Sequence, residues 1–275
     1  MKPAIKVTVL GSTGRLGRAI CAAVLDAPDM KLVGAIVRSQ SSYLGEDIGV
    51  MLDREPVGCE TTVSFEDALE LSDIVIDASM PAMTVSVAER MAEHERRCPL
   101  VTGVTGFTSA QLKRLTAASG HIPLLMAGNF SLGIAVVEAL VEQAAALPAK
   151  DWDIEISETH HRLKADAPSG TALLLGQAAA RGRGVDHEAM AVTARDGVTG
   201  PRRPGSIGYA VSRGGSIIGE HQVRFLSDME EITISHRAHD RRIFARGAIA
   251  AARWMCTEGE SREPGLYSMQ DVVRA

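Results

Sequence analysis

Apolar positions follow two different rhythms along the chain, and the change between them divides it. Up to residue 130 they gather in short unbroken runs: IKVTVLG (5–11), KLVGAIV (31–37), DIVIDAS (73–79), PLVTGV (99–104) and IPLLMAG (122–128). Between the runs lie segments whose apolar positions recur every three or four residues: RLGRAICAAVLDA (15–27), MTVSVAERMAEHE (83–95) and SAQLKRLTAAS (109–119). A strand covered on both faces reads as a continuous apolar run, and parallel strands need helical crossovers to join them. The first rhythm therefore predicts an α/β fold, a Rossmann-type doubly wound parallel sheet of the kind that binds dinucleotides.

The second rhythm begins after the apolar helix LGIAVVEALVEQAAALP (132–148). From Trp152 onward the runs alternate and glycines separate them: WDIEISET (152–159), IGYAVSR (207–213), SIIGEHQVRF (216–225) and EITISHRA (231–238). This predicts a second α+β domain with a mostly antiparallel sheet, and Gly214-Gly215 between two of the runs signals a hairpin. The turn-rich stretch RDGVTGPRRPGS (195–206) reads as a mobile loop. A closing helix, RRIFARGAIAAARWM (241–255), has an apolar face too broad to stand alone and is expected to pack back on the first domain. The resulting boundaries are 1–130 with 241–275 for the dinucleotide domain and 131–240 for the second.

Composition narrows the function classes. With 45% hydrophobic and 23% charged residues the 275-residue chain is globular in character. A formal charge of −5, with no massed lysines or arginines, argues against nucleic acid and membrane surfaces as partners. Cys21, Cys59, Cys98 and Cys256 show no metal-ligand spacing and read as reduced thiols. No apolar run approaches the ~20 residues needed to cross a bilayer, and the first strand begins too early to leave room for a signal peptide. A cytoplasmic location is expected.

The candidate chemistry starts at GSTGRLG, directly after the first predicted strand. Gly11, Gly14 and Gly17 open a helix there, and glycines let the backbone turn tightly and approach a pyrophosphate that the helix N-terminus favours. About 20 residues beyond the last glycine such a domain carries its ribose-reading residue. That place is held by Val37-Arg38. The acid that would pair with a ribose hydroxyl is missing, and Arg38 is either a solvated strand-end residue or a partner for a 2′-phosphate, with Arg15 able to help. NADPH is favoured, with NADH as the alternative. Later strands end in DASMP (77–81), TGVTGF (102–107) and AGNFSLG (127–133), whose small, hydroxyl and amide side chains suit a nicotinamide ring.

The second domain contributes ETHHRLKADAPSGTA (158–172). The strand ends at His160-His161, and a helix starts near Ser169, a good N-cap after Pro168. The backbone N–H groups of Gly170 and Thr171 then open a helix, a place for a carboxylate or phosphate. Either histidine can exchange a proton near neutral pH, and Lys164 adds a cation. Together they suit a small anionic substrate that must be protonated. A metal is not expected, since no third ligand lies at useful spacing and the lysine opposes a cation. Ser169 lacks the elbow of a hydrolase nucleophile, and a cap explains it more simply. Nothing marks Lys164 as desolvated enough for a Schiff base. Asp166 reads as a loop-organising carboxylate, and His94, His121 and His187 as surface or core residues.

HHRLKADAPSGTA closely resembles the most specific motif of the 4-hydroxy-tetrahydrodipicolinate (dihydrodipicolinate) reductases of bacterial lysine and diaminopimelate biosynthesis. The resemblance extends over essentially the whole chain, through GSTGRLGR, TGVTGF, AGNFSLGI, RGGSIIGEHQV, HRAHDRRIFARGAIAAARW and GLYSMQDV. It implies an oxidoreductase that reduces a cyclic unsaturated dicarboxylate to tetrahydrodipicolinate with NADH or NADPH. It also implies that Gly11, Ser12, Thr13, Gly14, Arg15 and Leu16 cradle the pyrophosphate, with Arg38 near the adenosine ribose. Gly103, Val104 and Thr105, with Ala127, Gly128, Asn129 and Phe130, would hold the nicotinamide end. By the same resemblance His160 is the proton donor or acceptor and Lys164 the proton donor, while His161, Gly170 and Thr171 hold substrate carboxylates. A homotetramer joined through the sheets of the second domain is implied as well. Three positions depart from the family pattern: Val37 replaces an acid, DASMP loosens the usual DFTxP, and Val104 replaces a threonine in GTTGF. They touch cofactor contacts and leave the proton site intact.

Overall fold

Strand β1 (Ile5–Leu10) is fully buried from Val7 onward, as a central parallel strand requires. Its successors in the first part of the chain are α1 (Arg15–Leu25), β2 (Met30–Ile36), α2 (Ile48–Met51), β3 (Thr61–Thr62), α3 (Phe65–Leu71), β4 (Ile74–Asp77), α4 (Pro81–Glu93), β5 (Leu100–Thr102), α5 (Ser109–Ser119) and β6 (Pro123–Met126). Then follow α6 (Leu132–Ala144), β7 (Asp153–His160), α7 (Gly170–Arg183), α8 (His187–Met190), β8 (Ala191–Val192), β9 (Ile207–Arg213), β10 (Gly219–Leu226) and β11 (Glu231–Ala238). The chain closes with α9 (Arg242–Met255), β12 (Gly265–Tyr267) and α10 (Met269–Arg274). The computed structural model describes residues 3–96, 98–257 and 261–274. It divides into two compact units, Met1–Phe130 with Arg242–Ala275, and Ser131–Arg241.

The first unit carries a seven-stranded sheet in the order β12-β6-β5-β4-β1-β2-β3, with every pairing parallel. The order turns at β1, between β2 and β4, and such a turning point opens a crevice at the carboxyl ends of the strands. Helix starts follow the local sequence: Pro81 sits in the first turn of α4, and Thr108 with Gln111 forms a capping box on α5. The apolar pattern does not announce α2, β3 and α3, which fill the span between β2 and β4. Asp47 organises that span by accepting from the backbone N–H groups of Gly49, Val57, Gly58 and Cys59 at 2.8–3.2 Å.

The second unit is a five-stranded sheet, β11-β10-β7-β9-β8. The expected alternation is present: Ile154, Ile156, Val223 and Phe225 point to one face and join Leu175 and Ala178 of α7 and Val141 of α6 in a core. The sheet is mixed rather than uniformly antiparallel. β10 pairs antiparallel with β7 and β11, whereas β9 pairs parallel with β7 and β8. The Gly214-Gly215 hairpin is overturned, because β9 and β10 do not pair with each other and β7 lies between them. Instead the turn crosses the end of β7, with Gly214 N–H donating to His160 O (2.9 Å) and Arg162 N–H to Gly215 O (3.3 Å). Nor is the loop 195–206 without anchorage. Arg202 reaches Asp153 (2.7 Å), Glu155 (3.0 Å) and the carbonyls of Ile154 and Ser206, and Arg195 forms a two-fold ion pair with Glu155 (2.8 Å).

Candidate active site

Between β1 and α1 the chain makes the turn that the glycines permit. Gly11 has φ +70°, a left-handed conformation that disfavours side chains, and a Cβ there would stand 2.7 Å from Ala78 O. A Cβ on Gly17 would press into the Gly11 peptide, 2.8 Å from its carbonyl carbon and nearer still to its oxygen. Ser12 is buried, and both its N–H and its hydroxyl donate to Ile36 O at 3.3 Å, which ties the loop to β2. Thr13 and Leu16 are half-buried, while Gly14 and Arg15 are exposed. Gly14 is the N-cap of α1 and supplies no side-chain cap, so the first amides of the helix face outward for an anion. After β2, Val37 turns inward at 5% exposure and Arg38 is exposed. The other nearby cation, Arg18, is already committed to Met51 O (2.6 Å) and the Tyr43 ring.

The end of β4, the first turn of α4 and the end of β5 are joined by one buried carboxylate. Asp77 is fully buried and accepts from Ser79 N–H (2.9 Å) and from the hydroxyls of Ser79 (2.5 Å), Thr84 (2.5 Å) and Thr102 (3.0 Å). Burial raises its pKa, against the pull of those donors. Thr102 in turn accepts from Val104 N–H (3.2 Å), and Gly103 N–H donates to Asp77 O (3.0 Å). Gly103 carries no side chain because the Phe130 ring occupies that space, with Cδ2 2.9 Å from where a Cβ would be. Ala127 is buried, Gly128 and Thr105 exposed, and Asn129 half-buried. The cofactor-binding candidates of the first unit thus all lie at the carboxyl ends of β1, β2, β5 and β6.

The second unit gathers its candidates around Glu158. On β7 the side chains of residues 154, 156, 158 and 160 share the inward face, and Glu158 and His160 are 2% and 8% exposed. Glu158 Oε2 accepts from His160 Nδ1 (2.6 Å) and Arg213 Nη1 (2.7 Å), and Oε1 accepts from Arg213 Nη2 (2.9 Å) and Ser169 N–H (2.9 Å). Burial pushes the pKa of Glu158 up, but the donors from Arg213, His160 and Ser169 outweigh it, so the carboxyl lies below its usual range. An ionised carboxylate only accepts, so His160 carries a proton on Nδ1 and presents Nε2. Gly219 leaves that nitrogen room, since a Cβ there would stand 3.0 Å from it.

Ser169 caps α7 by accepting from Ala172 N–H at 3.1 Å, which leaves the Gly170 N–H ahead of it open. The same hydroxyl lies 3.0 Å from His221 Nε2, and Ser169 is 2% exposed. A buried hydroxyl committed to a helix end is a cap and not a nucleophile. Burial, with the neighbouring charge of His160 second, pushes the pKa of His221 down to about 4, so its ring is neutral near pH 7. Lys164 Nζ meets both oxygens of Asp166 at 2.8 Å, and Arg213 Nη2 donates to the Asp166 carbonyl at 2.6 Å. His161 follows β7 half-buried, and Thr171 lies half-buried in the first turn of α7. Among the described residues no group of His, Cys, Asp and Glu is gathered that could hold a metal ion.

Sequence reasoning misses Glu158, Arg213 and His221. A signal for the first is present: a glutamate on the inward face of a strand, following the inward Ile154 and Ile156, demands a buried partner. Its partner Arg213 lies 55 residues away, and no local pattern connects the two.

Comparison with known proteins finds the family model "Dihydrodipicolinate reductase, N-terminus" over residues 5–130 and "Dihydrodipicolinate reductase, C-terminus" over residues 133–273. Curated 4-hydroxy-tetrahydrodipicolinate reductases are similar along nearly their whole length. That of Cereibacter sphaeroides is 46% identical over 267 residues (97% of each chain), and that of Caulobacter vibrioides 46% over 274 residues (99% of this chain, 98% of the relative). Among solved structures, dipicolinate-bound dihydrodipicolinate reductase from Paenisporosarcina sp. TG-14 shares the fold, with a TM-score of 0.74 at 21% identity, covering 98% of this chain and 99% of the other.

Proposed function

This chain belongs to the dihydrodipicolinate reductase family, and from that premise we propose how its residues divide the work. The activity is the nicotinamide-dependent reduction of 4-hydroxy-tetrahydrodipicolinate in lysine and diaminopimelate biosynthesis. The first unit takes the dinucleotide: the Gly11–Leu16 turn fits a pyrophosphate, because its glycines leave space that a Cβ would fill and α1 begins without a side-chain cap. Gly103, Val104, Thr105 and residues 127–130 hold the nicotinamide end, which supplies the hydride when bound. In the second unit His161, Gly170 and Thr171 grip the substrate carboxylates, and His160 and Lys164 provide the proton.

The observation that carries this division is the His160–Glu158 pair beside the start of α7. Hydride addition to a conjugated imine builds negative charge that a positioned acid must quench. Helix amides and a lysine match a dicarboxylate. The direct experiment follows loss of reduced-nicotinamide absorbance on adding the condensation product of pyruvate and aspartate semialdehyde. Oxidation is expected, and none with either NADH or NADPH would sink the reading.

NADPH is the preferred cofactor on this proposal. The inward Val37 offers no acid to a ribose hydroxyl, and the exposed Arg38 offers a guanidinium to a 2′-phosphate. Arg38→Ala should raise KM for NADPH several-fold more than KM for NADH, and an unchanged ratio refutes that role. A cytoplasmic setting is supported by four buried, free cysteines. Among the described residues no helix is long and apolar enough to cross a membrane. A homotetramer joined through the outer face of the second sheet belongs to the same reading, which rests on the family resemblance. On that face the rows Arg237–Glu220–Thr159 and Ser235–Gln222–Ser157 are polar, opposite the α6 and α7 core.

A further inference from the structure

We propose that Glu158 and Arg213 are a positioning pair that assembles the proton donor, the lysine loop and the carboxylate grip as one unit. The inference rests on the reductase reading and names residues outside its reacting set. Each oxygen of Glu158 is divided between Arg213 and one part of the site. Oε2 takes Arg213 Nη1 and His160 Nδ1, while Oε1 takes Arg213 Nη2 and the Ser169 amide that precedes α7. From the other side Arg213 holds the carbonyl of Asp166, two residues after Lys164. One ion pair therefore fixes three things: the ring of His160, the chain around Lys164, and the entry to α7 with Gly170 and Thr171.

The groups facing this pair are few. Lys164 and Asp166 come from the loop, His221 from β10 and Ser169 from the α7 cap, while Arg213 itself ends β9. His221 stands edge-on to His160 with ring centroids 5.1 Å apart, and its lowered pKa keeps it from competing for the carboxylate as a cation. Glu158 is thus the acceptor that decides which nitrogen of His160 carries the fixed proton. Nδ1 donates to it, and Nε2 faces the substrate side with the exchangeable one.

Glu158→Gln tests this without changing shape. The Ser169 amide and Arg213 Nη2 both donate at the Oε1 position, so the glutamine oxygen takes that position, and its NH2 group replaces Oε2, losing the Arg213 Nη1 bond and facing His160. An NH2 group donates to Nδ1 and forces the fixed proton onto Nε2, inverting the tautomer. Loss of an orienting carboxylate behind a histidine costs up to ~10⁴-fold in the serine-hydrolase arrangement. Here kcat should fall at least ~10-fold, with KM for NADPH within about twofold, and 15N chemical shifts of the His160 ring should report the inversion. Arg213→Lys is the second variant. It keeps the charge but cannot span both oxygens and the Asp166 carbonyl, so it should lower kcat by a smaller factor than Glu158→Gln. An active wild type whose Glu158→Gln variant keeps its kcat, or its His160 tautomer, overturns this inference alone. Equal losses in kcat and cofactor KM in both variants also overturn it, as a merely structural role. A wild type that oxidises neither cofactor overturns the reductase reading itself.

Discussion

Lys164→Ala should lower kcat by about 10²- to 10⁴-fold, the range a positioned proton donor contributes, while Kd for the reduced cofactor stays nearly constant. The expected separation follows from the layout: Lys164 belongs to the second unit, and the glycine turn proposed for the dinucleotide belongs to the first. Its ammonium is poised rather than buried, with the side chain 20% exposed and held by an Asp166 carboxylate that is itself 63% exposed. Such a pair contributes at most about 1 kcal/mol to folding, so the loss of turnover cannot be assigned to instability. Stopped-flow measurement of hydride transfer with a parallel fluorescence titration of NADPH separates the two quantities. Equal loss in both would assign Lys164 a structural role.

Gly17→Ala should have the opposite signature. One methyl group must enter space held by the Gly11 peptide and by Ser12 Cα, 2.8 and 2.9 Å away. Those are backbone atoms, which cannot swing aside as a long side chain can. The turn itself must move, at a cost of roughly 1–3 kcal/mol for an overpacked site. The displaced segment carries the amides proposed to face the pyrophosphate, so Kd for NADH and for NADPH should rise together, by about tenfold or more. Isothermal titration with both cofactors checks this, and a variant that binds both normally would remove the glycine turn from the cofactor site. The parallel rise distinguishes this change from Arg38→Ala, which is expected to weaken NADPH several-fold more than NADH.

Legibility of the sequence tracks the range of the forces involved. Continuous apolar runs and helical periodicity are local, and they suffice for the five inner strands of the first unit's sheet, while the short edge strands β3 and β12 escape them. The α7 cap at Ser169 and the glycine turn are equally local, read from residue type. Pairing between strands is not local. Gly214-Gly215 carries the composition of a hairpin turn, yet β7 takes the place between β9 and β10. β7 can do so because its inward residues, Ile154 and Ile156, fill the middle of the core under α7. The same limit hides the buried site. His160 and Lys164 stand together in one motif, whereas Glu158 acquires its meaning only when β9 brings Arg213 to it and β10 brings His221 close. The loop 195–206 shows the converse: turn-forming residues suggest freedom, but Arg195 and Arg202 find acids on β7 that the loop's own composition cannot reveal.

The discontinuity of the first unit has a consequence for how this chain is made. Helix α9, which packs on α1, and strand β12, which completes the sheet edge beside β6, both follow the entire second unit in the chain. During synthesis the second unit leaves the ribosome while the first still lacks helix α9 and its edge strand, and the edge of β6 stays open until β12 appears. Order of emergence and order of completion are therefore reversed: the unit that starts first finishes last.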